Sequence, residues 1–194
     1  PSSDPQKVGA TGIRPTDDLN VFGTSLTVNY NFGDIDLKSI SAYREMKAET
    51  GTDFDGTPIP VNDQLVHQDQ EQYSQEFQLS QSTEDFKWVV GTYYLREDIL
   101  EEIQNNFLFF YLPPTNAPIG EGPLSSTDLG SDNFAVFGQG SYNLTSELSI
   151  TAGVRYTYEK KNVSISGPFA LGTGGEPLDV SGKKSWNNIS PRLG

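Results

Sequence analysis

Apolar and polar residues alternate most regularly between Asn133 and Lys160. In the second half of this stretch every other residue is apolar, and the residues between them are polar, charged or glycine. The apolar set is Leu148, Ile150, Ala152, Val154, Tyr156 and Tyr158. Successive side chains of a β-strand point to opposite faces, so this period of two predicts a strand. The short polar segment 143–147 precedes it and predicts a tight turn, which makes the whole stretch an antiparallel hairpin.

The rest of the chain shows weaker forms of the same alternation. Residues 1–20 are rich in proline and glycine and predict a loop, and residues 21–194 predict strands with their connections. Further strands are predicted over about 21–32, 36–47, 67–81 and 86–103, and a last one begins near Lys184. Short turns are expected near Gly33, Thr83 and Ser146, and long loops over 48–66, 105–130 and 164–183.

The strands are long, and their connections are unequal. Each arm of the 133–160 hairpin has about ten residues or more, whereas strands of soluble proteins have about five or six. Strands of about ten residues with dyad alternation are typical of transmembrane β-barrels, in which short turns face the periplasm and long loops face outward. Five aromatic residues lie beside the short turns and predict a girdle at the periplasmic interface. They are Tyr30, Phe32, Phe86, Trp88 and Tyr142.

Composition narrows the class of protein. The 194 residues carry a formal net charge of -13, and the mean hydropathy is -0.48, which is low for a packed soluble core but compatible with a barrel whose lumen is wet. The acidic balance excludes nucleic acid as a partner. There is no cysteine and no apolar run long enough for a transmembrane helix. The polar N-terminus shows no signal peptide, so the chain is interpreted as an internal fragment.

Five segments, in order from about Val21 to the end, resemble the β-barrel portion of TonB-dependent outer-membrane receptors. They are LKSISAYRE (37–45), YSQEFQLSQ (73–81), WVVGTYYLRED (88–98), FAVFGQGSYNLTSELSITAGVRYTYEKK (134–161) and NNISPRLG (187–194). The resemblance implies an antiparallel transmembrane β-barrel of about 22 strands, plugged by an N-terminal domain. It also implies a receptor in the outer membrane of a Gram-negative bacterium. Such a receptor binds a scarce nutrient complex, commonly a ferric siderophore, and imports it with energy transmitted by TonB.

The chain departs from a whole receptor of this family, because it shows no signal peptide, no TonB-contacting box, no plug and no terminal strand ending in an aromatic residue. We therefore expect an all-β fragment of about seven strands from the middle of the larger barrel. Its strands would form wall against membrane lipid. Its long loops would help to gate and contact a siderophore or another small nutrient complex. Contacts with the plug and with TonB would lie outside it.

The apolar run 107–112 (FLFFYL) has two interpretations. It is either the aromatic girdle of the outer leaflet or a patch that contacts ligand in an extracellular loop. In the second interpretation the contact residues are Phe107, Phe109, Phe110 and Tyr111.

Candidate metal and catalytic sites are weak. His67 is the only histidine and has no histidine or cysteine companion. Residues Asp53 to Gly56 resemble the start of a calcium loop, but Gln64 stands at position twelve, where a glutamate is required. The carboxylates Glu71, Glu76, Glu97, Asp98, Glu101 and Glu102 show no acid–base constellation. No catalytic residue, cofactor or metal is therefore predicted, and the protein is not expected to be an enzyme.

Two other classes of protein remain open from the sequence. One is a passive, porin-like outer-membrane barrel. The other is a soluble β-sandwich that binds a ligand, since a period of two does not reveal which solvent a strand faces. In a barrel, Arg155 and Arg192 would face the lumen and pair with a carboxylate of the plug or the wall.

Overall fold

The computed structural model of the chain describes residues 15–56, 62–107, 124–167 and 177–194. These residues form seven long strands. In chain order they are β1 (Thr16–Asn31), β2 (Asp36–Asp53), β3 (Asn62–Ser82), β4 (Phe86–Phe107), β5 (Leu124–Asn143), β6 (Ser149–Gly167) and β7 (Leu178–Leu193). In the described part of the chain, no helix is long and apolar enough to cross a membrane.

Each strand pairs with the next along the chain, always antiparallel, so that the described residues form one sheet in the order β1 to β7. The prediction of an all-β antiparallel fold with about seven strands is confirmed. The sandwich alternative is wrong, because a sandwich needs two sheets packed face to face and the seven strands form a single sheet. The sheet is open, with β1 and β7 at its edges.

The strands are longer than the sequence pattern predicts. Strand β1 begins at Thr16 instead of Val21, so residues 16–20, which were predicted to be loop, belong to the sheet. The strands also extend into the three predicted long loops, since β2 ends at Asp53, β4 ends at Phe107 and β6 ends at Gly167, while β3, β5 and β7 begin at Asn62, Leu124 and Leu178. The added segments are polar and lack clean alternation. They are strands because main-chain hydrogen bonds hold an antiparallel pair together whatever the side chains are.

Three tight turns lie at one end of the sheet, which we call the turn end; the opposite end is the loop end. In the first turn Gly33 has a φ of 83°, a conformation that glycine adopts readily, and Phe32 N donates to Ile35 O at 2.8 Å. In the second turn Thr83 Oγ1 accepts from Phe86 N at 3.1 Å. The main-chain N of Asn143 donates to Asp85 O at 2.8 Å and joins the second turn to the third. The three predicted short turns are therefore confirmed.

The strands are tilted with respect to the line of turns. One row of directly paired residues is Tyr30, Leu37, Leu79, Val90, Gly138 and Val154. Tyr30 lies one residue from the turn end of β1, whereas Gly138 lies five residues from the turn end of β5. The distance of the row from the turns therefore grows by about one residue per strand. With about 3.3 Å per residue and about 4.8 Å between strands, that increase corresponds to a tilt of about 35°. Such a tilt is typical of transmembrane barrels.

The two faces of the sheet differ in exposure. On β6 the even-numbered residues from Ala152 to Tyr158 are exposed, whereas the odd-numbered residues between them are partly covered. Strand β3 shows the same difference between its two faces. Side chains crowd each other on the inside of a curved sheet and spread apart on the outside. We therefore call the face of Val90 and Val154 the convex face and the opposite one the concave face.

Candidate functional site

The convex face near the turn end carries an apolar belt bounded by two aromatic rows. Phe86 and Tyr142 pair directly and form the row beside the turns. Tyr94, Phe134 and Tyr158 form the second row, again as direct cross-strand partners. Between the rows lie exposed aliphatic side chains such as Val90, Val136 and Val154, and Ile150 pairs directly with Tyr142 in the first row. A broad exposed apolar surface of this kind would be unstable in water, whereas it suits hydrocarbon.

The spacing of the two rows matches the thickness of a membrane. Phe86 to Tyr94 and Phe134 to Tyr142 each span nine residues. A transmembrane strand tilted by about 45° needs about 9–11 residues. The predicted girdle beside the turns is thus joined by a second girdle of two tyrosines and a phenylalanine, which the sequence analysis did not identify.

Polar atoms at the borders of the belt have partners. The indole Nε1 of Trp88 donates to Gln81 Oε1 at 3.0 Å, and the hydroxyl of Tyr94 donates to Asp132 Oδ1 at 2.9 Å. Such pairing suits amphipathic rings that lie between hydrocarbon and water.

One polar patch interrupts the belt. Gln75 Nε2 donates to Ser39 Oγ at 3.0 Å, and Ser41 Oγ donates to Gln75 Oε1 at 2.5 Å. All three residues lie on the convex face. Because their polar atoms satisfy one another, the patch is compatible with a lipid-facing position.

Above the second aromatic row, toward the loop end, the convex face becomes charged and mostly acidic. Arg96 binds Asp98 through two nitrogens at 2.8 and 2.9 Å, and its Nη1 lies 3.4 Å from Asp132 Oδ1. The hydrogen bond from Lys47 to Glu45, with the charges of Glu45, Asp69 and Glu71, raises the pKa of Lys47 above its ordinary value. This charged band marks the level at which the apolar belt of the convex face ends.

At the same level the apolar residues of β6 change faces. Up to Tyr158 they are even-numbered and convex; beyond the pair Lys160–Lys161 they are Val163 and Ile165, which are odd-numbered and concave. The convex positions there become Lys160, Asn162, Ser164 and Ser166. The loop end of β6 therefore has its apolar side inward, as a strand has in water.

Other strands repeat this change of phase. The concave face of the loop end carries most of their apolar residues, with Leu65, Leu100 and Leu124 as convex exceptions. The concave set is Leu19, Val21, Met46, Val66, Ile99, Ile103, Leu129 and Val180. The seven strands thus form two zones: at the turn end the apolar belt lies on the convex face, and at the loop end most apolar residues lie on the concave face. The first pattern is typical of strands in lipid and the second of strands in water.

The middle of the concave face holds an arginine between aromatic rings. The guanidinium carbon of Arg155 lies 5.8 Å from the centroid of the Tyr93 ring and 5.7 Å from that of the Phe137 ring. Arg155 Nε also donates to Thr157 Oγ1 at 3.3 Å, and Arg192 donates to Gln139 Oε1 at 3.0 Å. Both arginines lie on the concave face, as expected. Among the described residues their contacts are rings, a hydroxyl and an amide, and the expected carboxylate partner is not found.

The predicted ligand-contact residues fall at or beyond the border of the described chain. Phe107 is the last residue of β4, at the loop end. Phe109, Phe110 and Tyr111 lie outside the described residues. Both interpretations of the run 107–112 therefore stay predictions.

Three aspartates lie close together at the loop end of the β2–β3 hairpin. One carboxylate oxygen from each of Asp53, Asp55 and Asp63 lies within 4.8 Å of the others. Asp53 Oδ1 accepts from the main-chain N of Asp55 and Gly56 at 3.0 and 2.7 Å, and Asp55 Oδ2 accepts from Asn62 N at 2.7 Å. These bonds close the end of the hairpin. The sequence analysis found Asp53 and Asp55 but missed Asp63, because their proximity comes from the pairing of Asp53 with Asp63.

The other candidate residues are scattered. His67 is partly exposed on the convex face, and its Nε2 lies 3.4 Å from Asp69 Oδ2. Glu71, Asp98 and Glu102 lie on the convex face, whereas Glu76, Glu97 and Glu101 lie on the concave face. Gln78 donates to Glu76 and Gln70 donates to Glu97, both at 2.6 Å. The six carboxylates are thus divided between two faces and do not form one site.

Two solved structures show the same fold over most of this chain. The ferric yersiniabactin uptake receptor FyuA from Yersinia pestis superposes with a TM-score of 0.72 and 17% identity, over 89% of this chain and 25% of the receptor. The ferric citrate transporter FecA, in its unliganded form, superposes with a TM-score of 0.69 and 16% identity, over 90% of this chain and 24% of the transporter. The chain therefore spans about a quarter of the length of either protein.

Sequence comparison with curated proteins gives no match. The family described as "TonB dependent receptor-like, beta-barrel" matches residues 2–194, which is nearly the whole chain. The matched fold, the single antiparallel sheet and the apolar convex belt agree with that description. The chain belongs to the TonB-dependent receptor-like β-barrel family.

Proposed function

We propose that this chain is part of an outer-membrane active transporter that imports a ferric siderophore or a similar scarce nutrient complex with energy transmitted by TonB. The observation that carries the proposal is the family match over residues 2–194. The titles of two similar structures name ferric yersiniabactin and ferric citrate as what those proteins take up or transport. Members of the family are receptors, not enzymes, so we expect the intact protein to bind the nutrient complex and conduct it across the membrane.

In the proposed arrangement the belt between the two aromatic rows faces lipid in the outer membrane of a Gram-negative bacterium. The turn end lies in the periplasm, and the charged convex band lies at the level of the outer lipid headgroups. The loop end stands outside the cell. The change of phase on β6 supports a loop end that stands in water, since only a water-exposed zone needs its apolar residues inside. The short turns support a periplasmic turn end, because transmembrane barrels of this type have short turns on the periplasmic side.

The concave face would line the lumen. The segments that join β2 to β3, β4 to β5 and β6 to β7 at the loop end would help to gate the lumen and contact ligand. Phe107, Phe109, Phe110 and Tyr111 are the predicted contacts. The plug and the TonB-contacting box belong to other parts of an intact receptor. Energy coupling would therefore pass through segments beyond this chain.

The test is uptake of radioactive iron by iron-starved Gram-negative cells that express the intact receptor, with TonB present or deleted. Iron would be supplied as ferric citrate, a ferric tricatecholate or a ferric trihydroxamate. We expect uptake of at least one chelate in the presence of TonB and none in its absence. Equal uptake without TonB, together with steady ion conductance in planar bilayers, would replace the proposal with a passive, porin-like barrel.

A further inference from the structure

The charge of the chain is distributed unevenly between the faces of the sheet. The whole chain carries -13, yet the concave face of β6 and β7 carries four cations against one acid. The cations are Arg155, Lys161, Lys184 and Arg192, and the acid is Glu159. Within an acidic protein this strip of the lumen wall is locally basic.

Lys161 and Lys184 hold a particular position within the strip, because they are direct cross-strand partners. Like charges directly opposite each other on one face of an antiparallel pair are destabilising. Glu159 lies 3.1 Å from Lys161 Nζ and offsets one of the two charges. A second anion between the two strands would offset the other.

Ser131 is the other direct cross-strand partner of Lys161, but several further neighbours of the two lysines on the concave face are apolar. Lys161 Nζ lies 5.9 Å from the centroid of the Trp186 ring, which is 41% exposed. Toward the loop end the concave neighbours are Val163, Ile165 and Val180, which the change of phase brings to this face. The two ammonium groups thus lie at the border of an apolar surface that includes one large aromatic ring.

We propose that Lys161, Lys184 and Trp186, with the apolar side chains above them, form a ligand-contact surface for an anionic chelate that carries aromatic or other apolar groups. The lysines would bind carboxylate or phenolate oxygens, and Trp186 with Val163, Ile165 and Val180 would cover the apolar part. The inference rests on the proposed function, because it assigns a charge class to the nutrient complex. It also locates a contact on the lumen wall, whereas one of the two interpretations of the sequence located it in the run 107–112.

The chain supplies a matched control for this surface. Lys160 and Lys183 are immediate neighbours of Lys161 and Lys184 but lie on the convex face. The concave pair Lys161→Gln with Lys184→Gln and the convex pair Lys160→Gln with Lys183→Gln change the net charge equally. A difference in ligand affinity between the two double variants therefore depends on which face carries the lysines and not on the total charge.

The experiment measures equilibrium binding of the three ferric chelates to outer-membrane vesicles that contain the intact receptor, as wild type and as each double variant. Ferric citrate and the tricatecholate are anionic; the trihydroxamate is chosen without negative charge. We expect an anionic chelate to bind, with an affinity at least about tenfold weaker in the concave variant, since hydrogen bonds to charged groups contribute that much. The convex variant should change affinity less than about twofold.

Other outcomes overturn the inference in distinguishable ways. An anionic chelate that binds both variants equally, or binding restricted to the trihydroxamate, would refute the ligand-contact surface and leave the proposed function intact. Binding of none of the three chelates to the wild-type receptor would refute the ferric-chelate function and the inference that rests on it.

Discussion

The ring of Phe137 lies over Gly91 on the neighbouring strand. A Cβ at Gly91 would be 2.5 Å from Phe137 Cζ and 2.6 Å from the main-chain oxygen of Phe77. The ring covers the glycine on one side and contacts the guanidinium of Arg155 on the other. Glycine at position 91 is therefore required by a close approach of ring and backbone and not by an unusual φ.

Replacing Gly91 by alanine should destabilise the barrel by about 1–3 kcal/mol, because the ring can move but the strand backbone cannot. Gly23→Ala is the control, since the nearest atom to its Cβ would be Tyr43 O at 3.7 Å. The measurement is urea unfolding of the intact receptor in detergent. Equal midpoints for the two variants would contradict the close packing described for Gly91.

The assignment of faces predicts a difference between two arginine substitutions on β6. Val154→Arg puts a charge on the convex belt between the aromatic rows and should cost about 2–4 kcal/mol if the residue lies near the bilayer midplane. Thr151→Arg lies on the concave face, three residues away, and should cost much less. Folding efficiency into lipid vesicles measures both. Small, equal effects would refute the assignment of faces.

The hydrogen bonds of Asp53 predict a local effect at the end of the β2–β3 hairpin. Asp53→Ala removes the acceptor of two main-chain N–H groups, from Asp55 and Gly56, and should destabilise this hairpin end by about 1–2 kcal/mol. Asp53→Asn keeps an acceptor oxygen and should retain most of the stability. Amide hydrogen exchange of Gly56 is the readout. If the two variants protect Gly56 equally well, Asp53 does not hold this turn.

The turn end of the sheet could be predicted from sequence because the environment of the convex face and the geometry of the strand impose the same pattern there. Lipid demands apolar residues on one face, and the strand places them at every second position, as from Ile150 to Tyr158. The three turns carry their own signals, such as Gly33. The family resemblance added the larger barrel, which alternation alone does not reveal.

The loop end could not be predicted equally well, because water imposes a weaker pattern on the outer face. The sequence of β3 before His67 predicts a polar loop, yet β3 is paired with β4 from Asn62 and with β2 from Asp63 onward. The basic strip on the lumen wall was also missed. Its signal is present in the sequence: the consecutive lysines 160 and 161 separate the even-numbered apolar series from the odd-numbered Val163 and Ile165. The register is needed to join Lys161 to Lys184.

The change of phase predicts where the convex face meets water, and single cysteines can locate it because the chain contains none. Ser164→Cys lies on the convex face of the water-exposed zone, whereas Ala152→Cys lies on the same face of the same strand within the belt. A membrane-impermeant maleimide applied to whole cells should label position 164 and leave position 152 unlabelled, because lipid covers the second thiol. After denaturation both should react. If position 164 is labelled only after the outer membrane is permeabilised, the proposed orientation is reversed. If position 152 is labelled in whole cells, the belt does not lie in the bilayer.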